Sequence, residues 1–108
     1  MLTTLYIYRP GSAKPTVETV DLPEKPNLHL LHGVLDKHIG VELEHVSVLW
    51  EGRRADMFVG ERSALDGSPV NSAATDIYHA ATKARGGRLA GAPRIYGNAV
   101  VFDRLVWF

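Results

Sequence analysis

The sequence predicts an α+β fold in which two helices pack on a mostly antiparallel sheet, in the order ββαββαβ. Strand-forming segments come in two pairs, each pair precedes a segment with helical periodicity, and a last apolar run follows the second helix. No linker or internal repeat divides the 108 residues, so residues 1–108 are expected to form a single domain. We expect both helices on the same face of the sheet.

The first pair of strands is predicted at residues 4–8 and 16–21. Residues 4–8 are rich in aromatic and β-branched side chains, which are typical of strands. The intervening residues 9–15 contain Pro and Gly and predict a loop. Together these segments predict a hairpin.

The first helix is predicted from a cap at Asn27 to about Ile39, where Gly40 can end it. At about 100° per residue, four apolar side chains fall within an arc of about 80°. This core-facing stripe consists of Leu28, Leu31, Leu35 and Ile39.

A second hairpin and a final strand complete the predicted sheet. Residues 41–50 and 55–59 are the paired strands, joined by a turn at 51–54. Residues 94–102 predict the last strand, and residues 103–108 form an apolar tail that is expected to pack or to pair.

The segment from Leu65 to Tyr78 combines a turn with a helix start. Asp66, Gly67 and Pro69 favour the turn, and Asn71 or Ser72 can cap a helix that runs to about residue 84. One face of this helix carries mostly small residues, which indicates close packing on the sheet. These residues are Ala73, Ile77, Ala80, Ala81 and Ala84.

The same segment resembles a small domain-of-unknown-function family found in phage, plasmid and actinobacterial genomes. The family pattern Leu-x-Gly-Leu-Pro-x-Asn-x-x-Ala-Thr corresponds to residues 65–75, and Ile-x-Gly-x-Ala-Val-Val corresponds to residues 95–101. The chain departs from the pattern at Ser68, in a longer insertion at 85–93 and in the tail after Asp103. The resemblance implies an accessory domain from a mobile element and carries no established activity.

Composition and charge limit the classes of function. The chain has no cysteine, which excludes disulfides, thiolate metal sites and Cys nucleophiles. Twelve basic and twelve acidic side chains balance, so only a local basic patch would support nucleic-acid binding. No apolar run is long enough to span a bilayer and no signal peptide is evident, so we expect a cytoplasmic protein without membrane contact.

The histidines offer two candidate sites. His29, His32 and Asp36 share one helix face and would bind a divalent cation if a fourth ligand came from elsewhere, although solvated side chains explain them as well. His45 lies between Glu42 and Glu44 and would act as a base oriented by a carboxylate. No nucleophile stands in a recognisable context, so we expect neither an enzyme nor a bound cofactor or metal.

A basic, glycine-rich stretch at residues 83–94 supports an alternative function. Its cations and free backbone N–H groups would bind phosphates of a nucleotide or nucleic acid, although no known phosphate-binding pattern is matched. The basic residues are Lys83, Arg85, Arg88 and Arg94.

The leading hypothesis concerns the apolar C-terminal end, because Leu105, Trp107 and Phe108 must be covered by something. The chain covers them itself, or they form an interface with a second copy or with a protein partner. We therefore expect a non-enzymatic accessory domain that acts by protein–protein interaction, with a host protein as the candidate partner.

Overall fold

The computed structural model describes residues 1–40, 42–89 and 92–108, and in them the predicted order ββαββαβ is confirmed. Val41 in the predicted third strand and residues 90 and 91 in the glycine-rich stretch lie outside the described residues. The strands are β1 (Leu2–Tyr8), β2 (Thr16–Asp21), β3 (Leu43–Trp50), β4 (Arg53–Gly60) and β5 (Ala99–Phe102). The helices are α1 (Leu28–Ile39) and α2 (Ser72–Ala84).

The five strands form one sheet in the order β2-β1-β5-β4-β3. Every neighbouring pair is antiparallel, as predicted. The last strand therefore inserts between the two hairpins and joins them, with Leu5 opposite Phe102 on one side and Met57 opposite Val101 on the other.

The two helices lie on opposite faces of the sheet, so the expectation of a shared face is wrong. Leu31 and Leu35 of α1 pack in one cluster with Val100 and Phe102, whereas α2 packs in a second cluster with Val101. Successive side chains of a strand point to opposite faces, and all four residues of β5 are buried. A central strand covered on both faces has a continuous apolar run rather than an alternating one.

Helix α1 begins and ends where the sequence predicts. The Asn27 side chain accepts a hydrogen bond from the Leu30 N–H at 2.9 Å, and Gly40 ends the helix with a φ of 105°. In the predicted stripe Leu31 and Leu35 are buried, whereas Leu28 in the first turn is 52% exposed.

Helix α2 begins at the predicted cap, and the capping side chain also bonds to two distant parts of the chain. The Asn71 side chain accepts from the Ala74 N–H at 3.1 Å. Its amide group donates to the Tyr8 carbonyl at 2.9 Å and to the Gly97 carbonyl at 2.8 Å. The Leu65–Tyr78 segment is thereby joined to the end of β1 and to the residues just before β5.

Strand β5 is shorter than predicted, because Ile95 and Gly97 bond to the start of α2 and the residues just before it rather than to a strand. The Ile95 carbonyl accepts from the Asn71 N–H at 2.8 Å, and the Ile95 N–H donates to Thr75 Oγ1 at 2.9 Å. Gly97 then adopts a φ of 73°, which interrupts extended backbone. Only an isolated bridge between Val70 and Tyr96 has strand-like pairing here.

In the part of the chain that the structure describes, neither helix is long and apolar enough to cross a bilayer.

Candidate functional site

The C-terminal segment, residues 103–108, packs against the sheet face that α1 covers. It begins by extending the contact between β5 and β1, since the Asp103 N–H donates to the Thr4 carbonyl at 3.0 Å. The Thr4 N–H donates in return to Asp103 Oδ1 at 3.2 Å. The segment then leaves the sheet without forming a further strand.

The Arg104 guanidinium holds the next part of the segment in place. Its Nε donates to the buried Thr3 hydroxyl at 3.0 Å. Its Nη atoms donate to the backbone carbonyls of Glu24 at 2.7 Å and Pro23 at 2.8 Å. One side chain therefore joins the C-terminal segment to β1 and to the connection between β2 and α1.

A buried carboxylate on β4 fixes the end of the segment. Asp56 is 2% exposed, and its Oδ2 accepts from the N–H groups of Val106 and Trp107, both at 2.8 Å. Its Oδ1 lies 2.6 Å from His45 Nε2. A buried carboxylate is tolerated when it is paired and hydrogen-bonded in this way. These contacts account for an acidic residue within the otherwise apolar run 55–59 of β4.

This arrangement separates one buried side chain from three exposed ones. Val106 is fully buried in the cluster beneath α1. Leu105 is 36% exposed, Trp107 45% and Phe108 68%. The segment thus covers itself only in part and presents an apolar surface, which we call the C-terminal surface (Leu105, Trp107 and Phe108).

The aromatic side chains of this surface contact residues of other elements. The Trp107 ring is stacked on His45, with 5.2 Å between centroids and 14° between planes. It meets the Phe58 ring edge-on at 5.7 Å. Lys25 Nζ lies 5.6 Å from the centroid of Phe108, within the range of a cation–π contact.

His45 is paired with a carboxylate, but the partner is Asp56 rather than Glu42 or Glu44. The same carboxylate accepts the two backbone N–H groups of the C-terminal segment, and Trp107 covers the ring. The geometry indicates that this pair positions the segment.

The three candidate metal ligands of α1 are not gathered into one site. His32 Nδ1 lies 2.7 Å from Asp36 Oδ1, whereas His29 is exposed. Within residues 1–40, 42–89 and 92–108, no group of three His, Cys, Asp or Glu side chains is placed to hold a metal ion.

The four basic residues of the alternative hypothesis are distributed over different surfaces. Arg85 lines a groove with Arg54, and its Nη1 donates to the Ser47 carbonyl at 3.4 Å. Arg94 lines a separate cavity of about 130 Å³ together with Tyr78. Lys83 and Arg88 are exposed.

The sequence interpretation missed Asp56 and Arg104 as the residues that position the candidate surface. A signal existed for Asp56, since it is the one charged residue within the apolar run 55–59. Its partners in the C-terminal segment, Val106 and Trp107, are about fifty positions away in the chain, so local patterns could not identify them.

Comparison of the chain with protein-family models, with curated proteins and with solved structures gave no match.

Proposed function

We propose that this chain is a protein-interaction domain that binds its partner through the C-terminal surface. One observation carries the proposal: the backbone of Val106 and Trp107 is held by a buried carboxylate while the neighbouring aromatic side chains stay exposed. Here an exposed Trp and Phe are presented on a fixed backbone.

Such a surface loses little conformational entropy when it binds a partner. Side chains and loops that must be immobilised at an interface each reduce the affinity. Trp107 is already packed against His45 and Phe58, so little of its freedom is left to lose. Aromatic side chains also dominate the residues that contribute most to protein interfaces.

The partner class follows from the sequence resemblance. The resemblance implies an accessory domain of a mobile element, which would act in a host cell, and on that basis we propose a host protein as the partner. A second copy of the chain would cover the same surface, and the test below separates the two.

The first prediction concerns Phe108, the most exposed side chain of the C-terminal surface. Phe108→Ala should weaken partner binding about tenfold, because truncating a central aromatic commonly costs more than 1 kcal/mol. The partner is captured from lysate of the source cell, purified, and its Kd for each variant measured by calorimetry. Trp107→Ala provides a second variant, at the other exposed aromatic side chain of the surface.

The matched control is Leu65→Ala, since Leu65 is 82% exposed in a turn outside the C-terminal surface. It should leave the Kd unchanged. Deleting residues 104–108 is unsuitable, because it also removes Arg104 and the buried Val106. Equal Kd values for wild type and both aromatic variants would contradict the proposal. Concentration-dependent sedimentation abolished by Phe108→Ala would identify a second copy as the partner instead.

A further inference from the structure

A groove of about 340 Å³ lies between the C-terminal end of α2 and the strands β3 and β4. Three alanines form part of its apolar lining: Ala55 on β4, and Ala81 and Ala84 on α2. Leu105 of the C-terminal surface also lines it. Small residues at these positions leave room for one aliphatic side chain from outside.

The charged residues that line this groove are both arginines, Arg54 and Arg85. Neither forms an ion pair within the described part of the chain. The contact between Arg85 and the Ser47 carbonyl is long, at 3.4 Å, and costs little to give up. The groove is therefore complementary to an anionic ligand with an apolar part.

The position of the groove favours an extended peptide. Strand β3 is at the edge of the sheet, and its residues Ser47, Val48 and Leu49 line the groove. The Arg85 contact shows that the Ser47 carbonyl is reachable from outside the sheet. Edge strands offer unpaired backbone groups to a further strand, and pockets for alternate side chains then select the sequence.

Nucleic acid fits this groove less well. Proteins that bind single strands combine cations with aromatic side chains on which the bases stack. The residues that line the groove include no aromatic side chain.

We propose that this groove binds an extended acidic peptide segment whose central leucine-sized side chain enters between α2 and β3, while flanking carboxylates pair with Arg54 and Arg85. The proposal deepens the proposed function, on which it rests, because Leu105 belongs to both surfaces and the partner protein would supply the segment.

The test uses a fluorescein-labelled peptide with one central leucine flanked by glutamates, titrated with the full chain and followed by fluorescence anisotropy. Arg54→Gln or Arg85→Gln should each weaken binding about fivefold, the effect of losing one partly exposed ion pair. Arg88→Gln is the matched control, since Arg88 is exposed and does not line the groove, and its Kd should stay within about twofold.

The contribution of the leucine side chain and of the apolar groove is tested separately. Ala84→Leu fills the groove from an exposed helix position with a good helix former, and should weaken binding at least about tenfold. Replacing the central leucine of the peptide by glycine should have a similar effect. Circular dichroism and thermal melting check that each variant is folded.

A further control peptide carries glutamines in place of the glutamates. Equal affinity for the leucine and glycine peptides, for the glutamate and glutamine peptides, or for wild type and the two arginine variants would overturn the proposal. Tighter binding of a single-stranded oligonucleotide than of the peptide would assign the groove to nucleic acid. If Phe108→Ala abolishes partner binding but the peptide does not bind, only this inference fails. If the peptide binds but Phe108→Ala has no effect on the partner, only the proposed function fails.

Discussion

At the scale of single residues, Asn71 joins three separate parts of the chain through one side chain. Its oxygen caps α2, and its amide group donates to carbonyls of Tyr8 and Gly97. The residue is fully buried, so water cannot replace any of these partners.

This arrangement predicts that Asn71→Asp is strongly destabilising, although Asp is a good cap elsewhere. A carboxylate would place an oxygen against two carbonyls that now accept hydrogen bonds from the Asn71 amide group. We expect the free energy of unfolding to fall by about 2–4 kcal/mol in urea denaturation. Asn27→Asp is the matched control, because Asn27 is an exposed cap whose oxygen alone is used, and it should change stability by less than about 0.5 kcal/mol. Similar losses for the two variants would contradict this account.

Asn71 also shows which hydrogen bonds of a single residue could be predicted from the sequence. Its role as a cap was predictable, because the cap and the N–H group that it accepts from are three positions apart. Its bonds to Tyr8 and Gly97 span 63 and 26 positions and leave no local pattern. The hydrogen bonds of Asp56 to Val106 and Trp107 in the candidate site likewise leave no local pattern.

At the scale of elements, Glu18 links the edge strand β2 to α1. Its Oε2 lies 3.1 Å from His38 Nε2 and 3.5 Å from Lys37 Nζ. The hydrogen bond with His38, followed by the charges of His38 and Lys37, lowers the pKa of Glu18 below its usual value of 4.5, although partial burial opposes the shift.

The lowered pKa predicts a loss of stability in acid. A carboxyl group whose pKa is lower in the folded than in the unfolded state stabilises the protein at pH values above the unfolded pKa, and this contribution disappears as the pH falls through the folded pKa. Wild type should therefore be more stable than Glu18→Gln at pH 6, and the difference should shrink as the pH falls below 4.5. Urea denaturation from pH 6 to pH 3 measures it. Glu44→Gln, at an exposed position on β3, should leave the pH profile unchanged. A difference between wild type and Glu18→Gln that stays constant or grows in acid would refute the prediction.

Elements were predictable where their limits are set by neighbours in sequence. Both helices end where their caps and apolar periodicity indicate, at Ile39 and Ala84. The start of β5 was misplaced, because Thr75 bonds to Ile95 in place of a neighbouring strand. The faces of the helices were also misassigned, since an amphipathic pattern shows that a helix packs but not on which side of the sheet.

At the scale of the whole molecule, the sheet is shared by two cores. The strands β1, β4 and β5 contribute residues to both the cluster under α1 and the cluster under α2. The candidate surface depends on this arrangement, because Val106 belongs to the α1 cluster while Asp56 is on β4. The sequence predicted an apolar end but could not identify Val106 as its buried residue.

The two tryptophans report on the two cores separately. Trp50 packs with the α2 cluster, with its ring centroid 4.1 Å from that of Tyr6 and its Nε1 donating to Tyr8 Oη at 3.2 Å. Trp107 lies against Phe58, which belongs to the α1 cluster. Trp107→Phe leaves Trp50 as the sole reporter, and Trp50→Phe leaves Trp107.

We predict that Leu35→Ala lowers the free energy of unfolding by the same amount whether it is measured by the fluorescence of Trp50 or of Trp107. Leu35 on α1 is fully buried, and truncating such a leucine costs about 2–5 kcal/mol. Because the same strands contribute to both cores, we expect the two faces to unfold in one cooperative transition. The loss of stability should therefore also be measured at Trp50 on the opposite face. Leu30→Ala on the same helix, where the side chain is 38% exposed, should cost about 1 kcal/mol or less.

Urea curves followed by fluorescence in each single-tryptophan background measure both effects. A midpoint that moves for Trp107 but not for Trp50 would show that the faces unfold independently, and the C-terminal surface could then detach while the α2 face stays folded.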